Sequence, residues 1–282
     1  VYDEQRGLAL RLINQKPGWG ESVFLGALPF ILLLASYQIA SSIRLAENPS
    51  DKLLPSFWSM AVAFAQIAFT PEQRSGSYLL WLDTSASLYR LGVGMTISAL
   101  IALSMGILIG FIPRARITFA PFVSAVSLIP PITVLPILFI IFGLEEASKI
   151  MLIIVGTAPV MIRSLSQSVT EIPAEQIIKA ETLGASTWQM IVRVVVPQTL
   201  PKLITAVRLG LVPAWIFLIS AEAIASTSGL GYRIFLVRRY LAMDIILPYV
   251  IWITLIAFAL DRLLYLYSKR QFAWAHLGPG AL

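Results

Sequence analysis

Between Arg163 and Leu203 the chain reads RSLSQSVTEIPAEQIIKAETLGASTWQMIVRVVVPQTLPKL, the one long polar segment in a sequence otherwise built from apolar blocks. Its pattern is helical. Ala174 to Leu183 follows Pro173 as one short amphipathic helix, Gly184 punctuates it, and Thr187 to Val196 reads as a second that ends at Pro197. Two such helices joined at a glycine form a knob too small to fold alone. It must dock on something, either a partner protein or the membrane headgroups.

The composition around this segment identifies the surroundings as a bilayer. Of 282 residues, 57% are apolar and 13% charged, where soluble domains carry about 25% charged residues. Too little polar surface remains to cover a water-soluble globule, and no extramembrane domain of any size fits. Apolar stretches long enough to cross fall at Val23 to Ile43, Leu91 to Ile112, Phe119 to Leu144, Ile150 to Ile162, Leu203 to Ala221 and Ile245 to Leu260. The fold class is therefore an all-α polytopic membrane protein of about six transmembrane helices. Leu53 to Phe69, with Pro55 and Trp58, reads as an interfacial helix on the outer surface.

Six crossings leave both ends on one side, and basic residues choose the side. With the termini inside, Arg6, Arg11, Lys16, Arg114, Arg116, Arg163, Lys179, Arg193, Lys202, Arg262, Lys269 and Arg270 lie inside. Arg44, Lys52, Arg74, Lys149, Arg233, Arg238 and Arg239 lie outside, so the positive-inside bias makes both termini cytoplasmic. The net charge of +6 is scattered among hydrophobic blocks and forms no nucleic-acid stripe. Residues 1–22 mix basic with acidic residues and no clean cleavage site follows the first hydrophobic block, so a cleaved secretory signal is not expected. The chain then divides into a cytoplasmic segment 1–22, a first span and outer loop 23–86, a transmembrane domain 87–266 containing the loop 163–202, and a cytoplasmic tail 267–282.

With no cysteine and a lone His276, thiolate chemistry and histidine metal clusters are excluded. In the second span Gly94, Ser98, Ala102, Gly106 and Gly110 recur every fourth residue, a stripe that lets another helix approach closely, within the chain in preference to a dimer seam. Pro130, Pro131 and Pro136 must kink or break the third span, which then either lines a pathway or carries a structural bend. Arg208 reads as snorkelling to headgroups, tied to the loop or a pathway charge, and Asp261 with Arg262 as a local or interfacial pair; Arg233, Arg238 and Arg239 read as a solvated outer helix, a docking patch for an acidic external protein or an attractor of anions to the pore mouth. Glu222 reads as a span-end acid, either a cap, a packing partner or a functional group.

The loop resembles the EAA loop of bacterial ABC importer permeases, whose pattern is Glu-Ala-Ala, three residues, Gly, nine residues, then Ile-x-Leu-Pro. Gly184 and Val194-Val195-Val196-Pro197 match that spacing, while the Glu-Ala-Ala triplet falls on Ile178, Lys179 and Ala180. Ile129-Pro130-Pro131, Leu135-Pro136, Phe142-Gly143, Ser148-Lys149, Leu209-Gly210 with Trp215, Ala221-Glu222 and Gly229-Leu230-Gly231 narrow the likeness. Together, from about Ser87 to Trp274, they are similar to the permeases of the nitrate, taurine, aliphatic sulfonate and bicarbonate group.

The resemblance implies a type I importer fold in a bacterial inner membrane. Implied partners are a second permease copy or close paralogue, an external solute-binding protein and cytoplasmic ATP-binding subunits. Ala180, Glu181, Leu183, Gly184, Ala185, Ser186, Thr187, Trp188, Gln189 and Pro197 would form the coupling surface, with Pro197 stopping the second knob helix before the membrane. Pro130, Pro131, Pro136, Trp215 and Glu222 would belong to the pathway or gate. The chain contains no Gly-Lys pair and so no Walker A loop. It would hold no cofactor and catalyse nothing, with ATP and magnesium on the partner subunit. A secondary carrier, the competing class, would show an ionisable group mid-span or repeated halves, and neither is evident in the sequence. Importers of small nitrogen compounds remain an alternative within the family.

Overall fold

The computed structural model describes residues 18–49, 51–73 and 76–276. The readings on Arg6, Arg11, Lys16, Arg74 and the end of the tail lie outside the described residues. The elements are α1 (Trp19–Glu47), α2 (Phe57–Phe69), α3 (Leu79–Phe111), α4 (Pro113–Val126), α5 (Pro131–Phe142), α6 (Glu146–Thr170), α7 (Ala174–Thr182), α8 (Thr187–Ile224), α9 (Leu230–Arg238) and α10 (Met243–Gln271). Among the described residues there is no strand. Among the described residues, five helices are long and apolar enough to cross a bilayer, or six if α4 and α5 count as one span.

The third span is broken. Pro113 and Pro131 each occupy a first-turn position, where a missing N–H is not needed, and between them the chain bends by 94°. Gly143 ends α5 at φ +75°, in the left-handed region.

Three proposed boundaries are corrected. The second span starts at Leu79 and not Leu91, because Asp83 and Arg90 are paired inside the bundle and do not end the helix. The fourth runs from Glu146 to Thr170, its flanking charges carried within the helix. Pro197 does not stop a helix: α8 is continuous from Thr187 to Ile224. Its backbone widens into a π-turn at Ile191–Val195, where Val196 N–H bonds to Ile191 O, and Pro197 falls in the first α-turn after it. The change of hydrogen-bond frame at this point accommodates a residue that cannot donate.

At the centre of the bundle α3 lies along α6, the most extensive pairing in the protein. The small-residue stripe makes it possible. A Cβ on Gly94 would stand 2.9 Å from Ile153 Cβ, on Gly106 2.8 Å from Leu165 Cβ, and on Gly110 2.8 Å from the Ser166 carbonyl. Across the same seam Thr157 donates to Ser98 Oγ at 2.8 Å. The stripe is thus an intramolecular seam, and α8 and α10 close the core around Leu91, Ala214, Trp215, Leu218 and Tyr249.

Helix α2 is too short to cross. It packs on α10, with Phe64 against Trp252, while Trp81 Nε1 donates to Ala68 O at 3.1 Å. Helix α1 buries none of its apolar window and is tied down near its C-terminal end. There Tyr37 donates to Pro55 O at 2.7 Å and Ser41 to Leu54 O at 2.9 Å. In the following loop the Leu53 amide and Arg44 guanidinium hold the Asp51 carboxyl below the usual carboxylate range.

Gly110→Ala is expected to cost about 1–3 kcal/mol of stability through this seam. Gly92→Ala, where a Cβ meets nothing within 4 Å, is expected to be neutral or slightly stabilising. Thermal unfolding of the two purified variants in detergent compares them directly, and equal stabilities would contradict the close seam.

Candidate functional site

Function-bearing residues gather at opposite ends of the bundle. At one end, α7 closes with Gly184 at φ +76°, Gly184 N–H bonding to Glu181 O and Ala185 N–H to Ala180 O. This pair of bonds is a Schellman closure, and it requires the left-handed residue that glycine supplies. Ser186 then caps α8 reciprocally: its hydroxyl accepts from Gln189 N–H, and Gln189 Oε1 accepts from Ser186 N–H at 2.8 Å.

The turn presents apolar side chains to solvent, Leu183 at 87% and Trp188 at 71% exposure. Its base is fixed. Val169 and Val195 are buried with Ile107 of α3, and Ile172 and Ile191 pack against them. Gln198 also donates to Gln176 at 2.8 Å. The polar segment is therefore only partly a loop: α6 and α8 both extend into it and clamp α7. Ala180, Glu181, Leu183, Gly184, Ala185, Ser186, Thr187, Trp188 and Gln189 all lie at this tip, whereas Pro197 lies within the span helix behind it.

At the opposite end, sequence reasoning missed the principal feature. Arg90 is 1% exposed in the interior of α3. It donates to Glu146 through Nε (2.5 Å) and Nη2 (2.7 Å), and through Nη1 to Glu222 (2.6 Å) and the Ser228 carbonyl (2.8 Å). Glu222, fully buried, also accepts from the Ser87 hydroxyl at 2.8 Å and from Gly231 N–H at 2.8 Å. Asp83, one turn or so before Ser87, accepts from Gly229 N–H (2.9 Å), Arg233 Nε (2.8 Å) and Tyr249 (3.3 Å).

The Gly229-Leu230-Gly231 turn is thereby stitched to α3 and α8. A Cβ at Gly229, whose φ is +125°, would lie 2.5 Å from the Glu222 carboxyl, and one at Gly231 would meet the Ile219 carbonyl at 2.8 Å. The glycines are needed because two buried acids must reach the turn's backbone amides.

Several expectations are corrected here. Glu222 is not a solvated cap. Arg233 is not on a solvated outer face but holds Asp83. Asp261 pairs with Arg208 across helices at 2.8 and 2.9 Å, so Arg208 does not snorkel, and Arg262 stands over the Tyr265 ring. Lys149 is buried and donates to the Leu144 and Glu145 carbonyls. Asp83, Arg90, Glu222, Arg208 and Asp261 do lie inside the spans, each neutralised by a partner, and charge spacing hides these pairs because the partners are distant in sequence.

Of the residues read as pathway or gate, Pro130, Pro131 and Pro136 are at the helix break and along α5. Pro131 lines an apolar cavity of about 300 Å³ with Gly156, Pro159, Pro213 and Phe217. Trp215 is in the main core, its indole N–H without a partner among the described residues. Glu222 is in the Arg90 network. Among the described residues no group of three or more His, Cys, Asp or Glu could hold a metal ion.

Arg90→Ala is expected to destabilise the protein by about 3–5 kcal/mol, because Glu222 is left buried and uncompensated. Adding Glu222→Gln should restore part of that loss. A double-mutant cycle on unfolding in detergent measures the coupling, and additive losses would argue against the network.

The comparisons with known proteins agree with this geometry. A solved chain from the inward-facing MetNI methionine ABC transporter superposes with a TM-score of 0.57 at 24% identity, over 69% of this chain and 98% of that one. That likeness establishes the type I importer permease fold. The taurine transport system permease protein TauC of Escherichia coli (strain K12) is 35% identical over 196 residues, 69% of this chain and 71% of its own length. The putative aliphatic sulfonates transport permease protein SsuC of Bacillus subtilis (strain 168) is 26% identical over 274 residues, covering 95% and 94% of the two chains. Residues 94–272, from the middle of α3 to the end of α10, match the family profile described as the inner membrane component of binding-protein-dependent transport systems. The chain belongs to that family and is an ABC transporter permease subunit.

Proposed function

We propose that the chain, paired with a second copy or a close paralogue, forms the translocation path for a small oxyanion of the taurine, sulfonate, nitrate or bicarbonate type. An external binding protein delivers the solute, and separate cytoplasmic subunits bind and hydrolyse ATP with magnesium. The observation that carries this reading is the exposed apolar tip at Leu183 and Trp188 on a base buried against α3. A surface that is anchored behind and apolar in front is built to be gripped.

In this mechanism the ATP-binding subunits seat the α7–α8 turn in a groove. Their closure pulls the two turns of the dimer together. Because α8 runs from the turn to Glu222, and α6, packed at the turn's base, runs to Glu146, the movement reaches both carboxylates that hold Arg90, giving alternating access. The excess of inner Lys and Arg places both termini on the cytoplasmic side, where ATP is. The substrate class rests on the names of the taurine and aliphatic sulfonate relatives.

Trp188→Ala is expected to weaken association with the ATP-binding subunits by about 2 kcal/mol, roughly thirtyfold, with the melting temperature of the isolated permease unchanged. Gly184→Val strains a φ of +76° and should act in the same direction. Binding-protein-stimulated ATPase activity and uptake in reconstituted vesicles report both effects. Uptake driven by a proton gradient without ATPase subunits or ATP would overturn the reading.

A further inference from the structure

We propose that the cavity beneath the α4–α5 break is a binding station for the anionic head of the transported solute, with Arg163 as its cation and the adjoining apolar cavity holding a short carbon body. The inference rests on the transport reading above and assigns a site within it.

Arg163, exposed on α6, lacks the acid partner that holds three other arginines of the bundle. Arg90, Arg208 and Arg233 each hold a carboxylate. Arg163 donates only from Nη1 to the neutral Ser127 hydroxyl at 2.9 Å, and pairs with no acid among the described residues. Its Nε and Nη2 stay uncommitted. The carboxylate nearest along α6, Glu171, is engaged by Gln167 Nε2 at 3.3 Å.

The cavity of about 590 Å³ lies between α4 and α6 and is lined by Arg163, Ser124, Ser164 and Gln167. The Ser124 and Ser164 hydroxyls donate to no acceptor among the described residues. A guanidinium edge and free hydroxyl donors, with no competing acid, suit an acceptor-only ligand such as a sulfonate. They do not suit a cation.

Burial and shape add a second argument. Arg163, Ser164 and Gln167 are exposed on one face of a helix whose opposite face is packed by Ile162, Leu165 and Val169. A polar strip of this kind is expensive against lipid and is expected to face water or protein. Ser164 and Val160 also line the 300 Å³ cavity with Pro131 and Phe217, so polar and apolar spaces meet at one wall. An alkyl sulfonate has that division of head and body.

The chain's lack of cysteine makes the test direct. Ser164→Cys introduces the chain's single thiol beside Arg163. The full complex in vesicles is treated with the anionic sulfonatoethyl or the cationic trimethylammonium-ethyl methanethiosulfonate, each rate normalised to free thiol and followed by mass on this chain. With Arg163 present the anionic reagent should be favoured by about tenfold or more. The preference should vanish with Arg163→Gln and return with Arg163→Lys, in complexes that assemble and hydrolyse ATP at the basal rate.

An unchanged preference in the Gln variant would overturn the proposal, because Arg163 would then be neutralised elsewhere, as by a lipid phosphate. So would a thiol that neither reagent reaches. If the preference holds but the wild-type complex imports neither taurine nor another alkyl sulfonate, the anion station stands and the substrate class proposed above falls.

Discussion

The strongest constraint on this fold is a guanidinium that has no access to bulk water. Arg90 is charged at any physiological pH and buried among apolar helices, so its five N–H donors must all be answered nearby. The chain answers with Glu146 at the head of α6, Glu222 near the end of α8 and the Ser228 carbonyl in the turn that follows. Three segments distant in sequence are thereby fixed at one point on α3. The same requirement explains the glycines at 229 and 231, since side chains there would occupy the space taken by the Glu222 carboxyl and the Ile219 carbonyl.

Close approach of helices supplies the second constraint. Apolar side chains in lipid gain little from leaving it, so association depends on contact and on hydrogen bonds that lipid cannot offer. The seam of Gly94, Ala102, Gly106 and Gly110 against Ile153, Leu165 and Val169 provides the contact, and Thr157 on Ser98 the bond. Helix α6 is thus fixed along its length against α3, while its two ends serve the Arg90 network and the α7–α8 turn.

Periodicity and composition made the spans, the small-residue seam and the glycine-centred turn legible before any coordinates. Each is a local pattern: an apolar run, a four-residue repeat, a helix stop. What could not be read was long-range pairing. Asp83 and Arg90 look like charges that end a span because their partners, Arg233, Glu146 and Glu222, lie far along the chain. Arg208 and Asp261 are separated by 53 residues and each had a plausible local alternative. Pro197 misled for a different reason: proline is incompatible with a regular α-helix interior, and only the π-turn before it makes the helix continuous.

That continuous α8 has a mechanical consequence. Its 38 residues span about 57 Å, against a hydrocarbon thickness of about 30 Å, so roughly half its length stands beyond the membrane core. It is a lever whose free arm ends at Trp188. A rotation of about 10° about a point inside the bilayer sweeps the tip of an arm of roughly 25 Å through about 4 Å. Small angular changes in the bundle and ångström-scale travel at the α7–α8 tip are therefore one motion. The geometry sets the gearing between them by where along the rod the pivot lies.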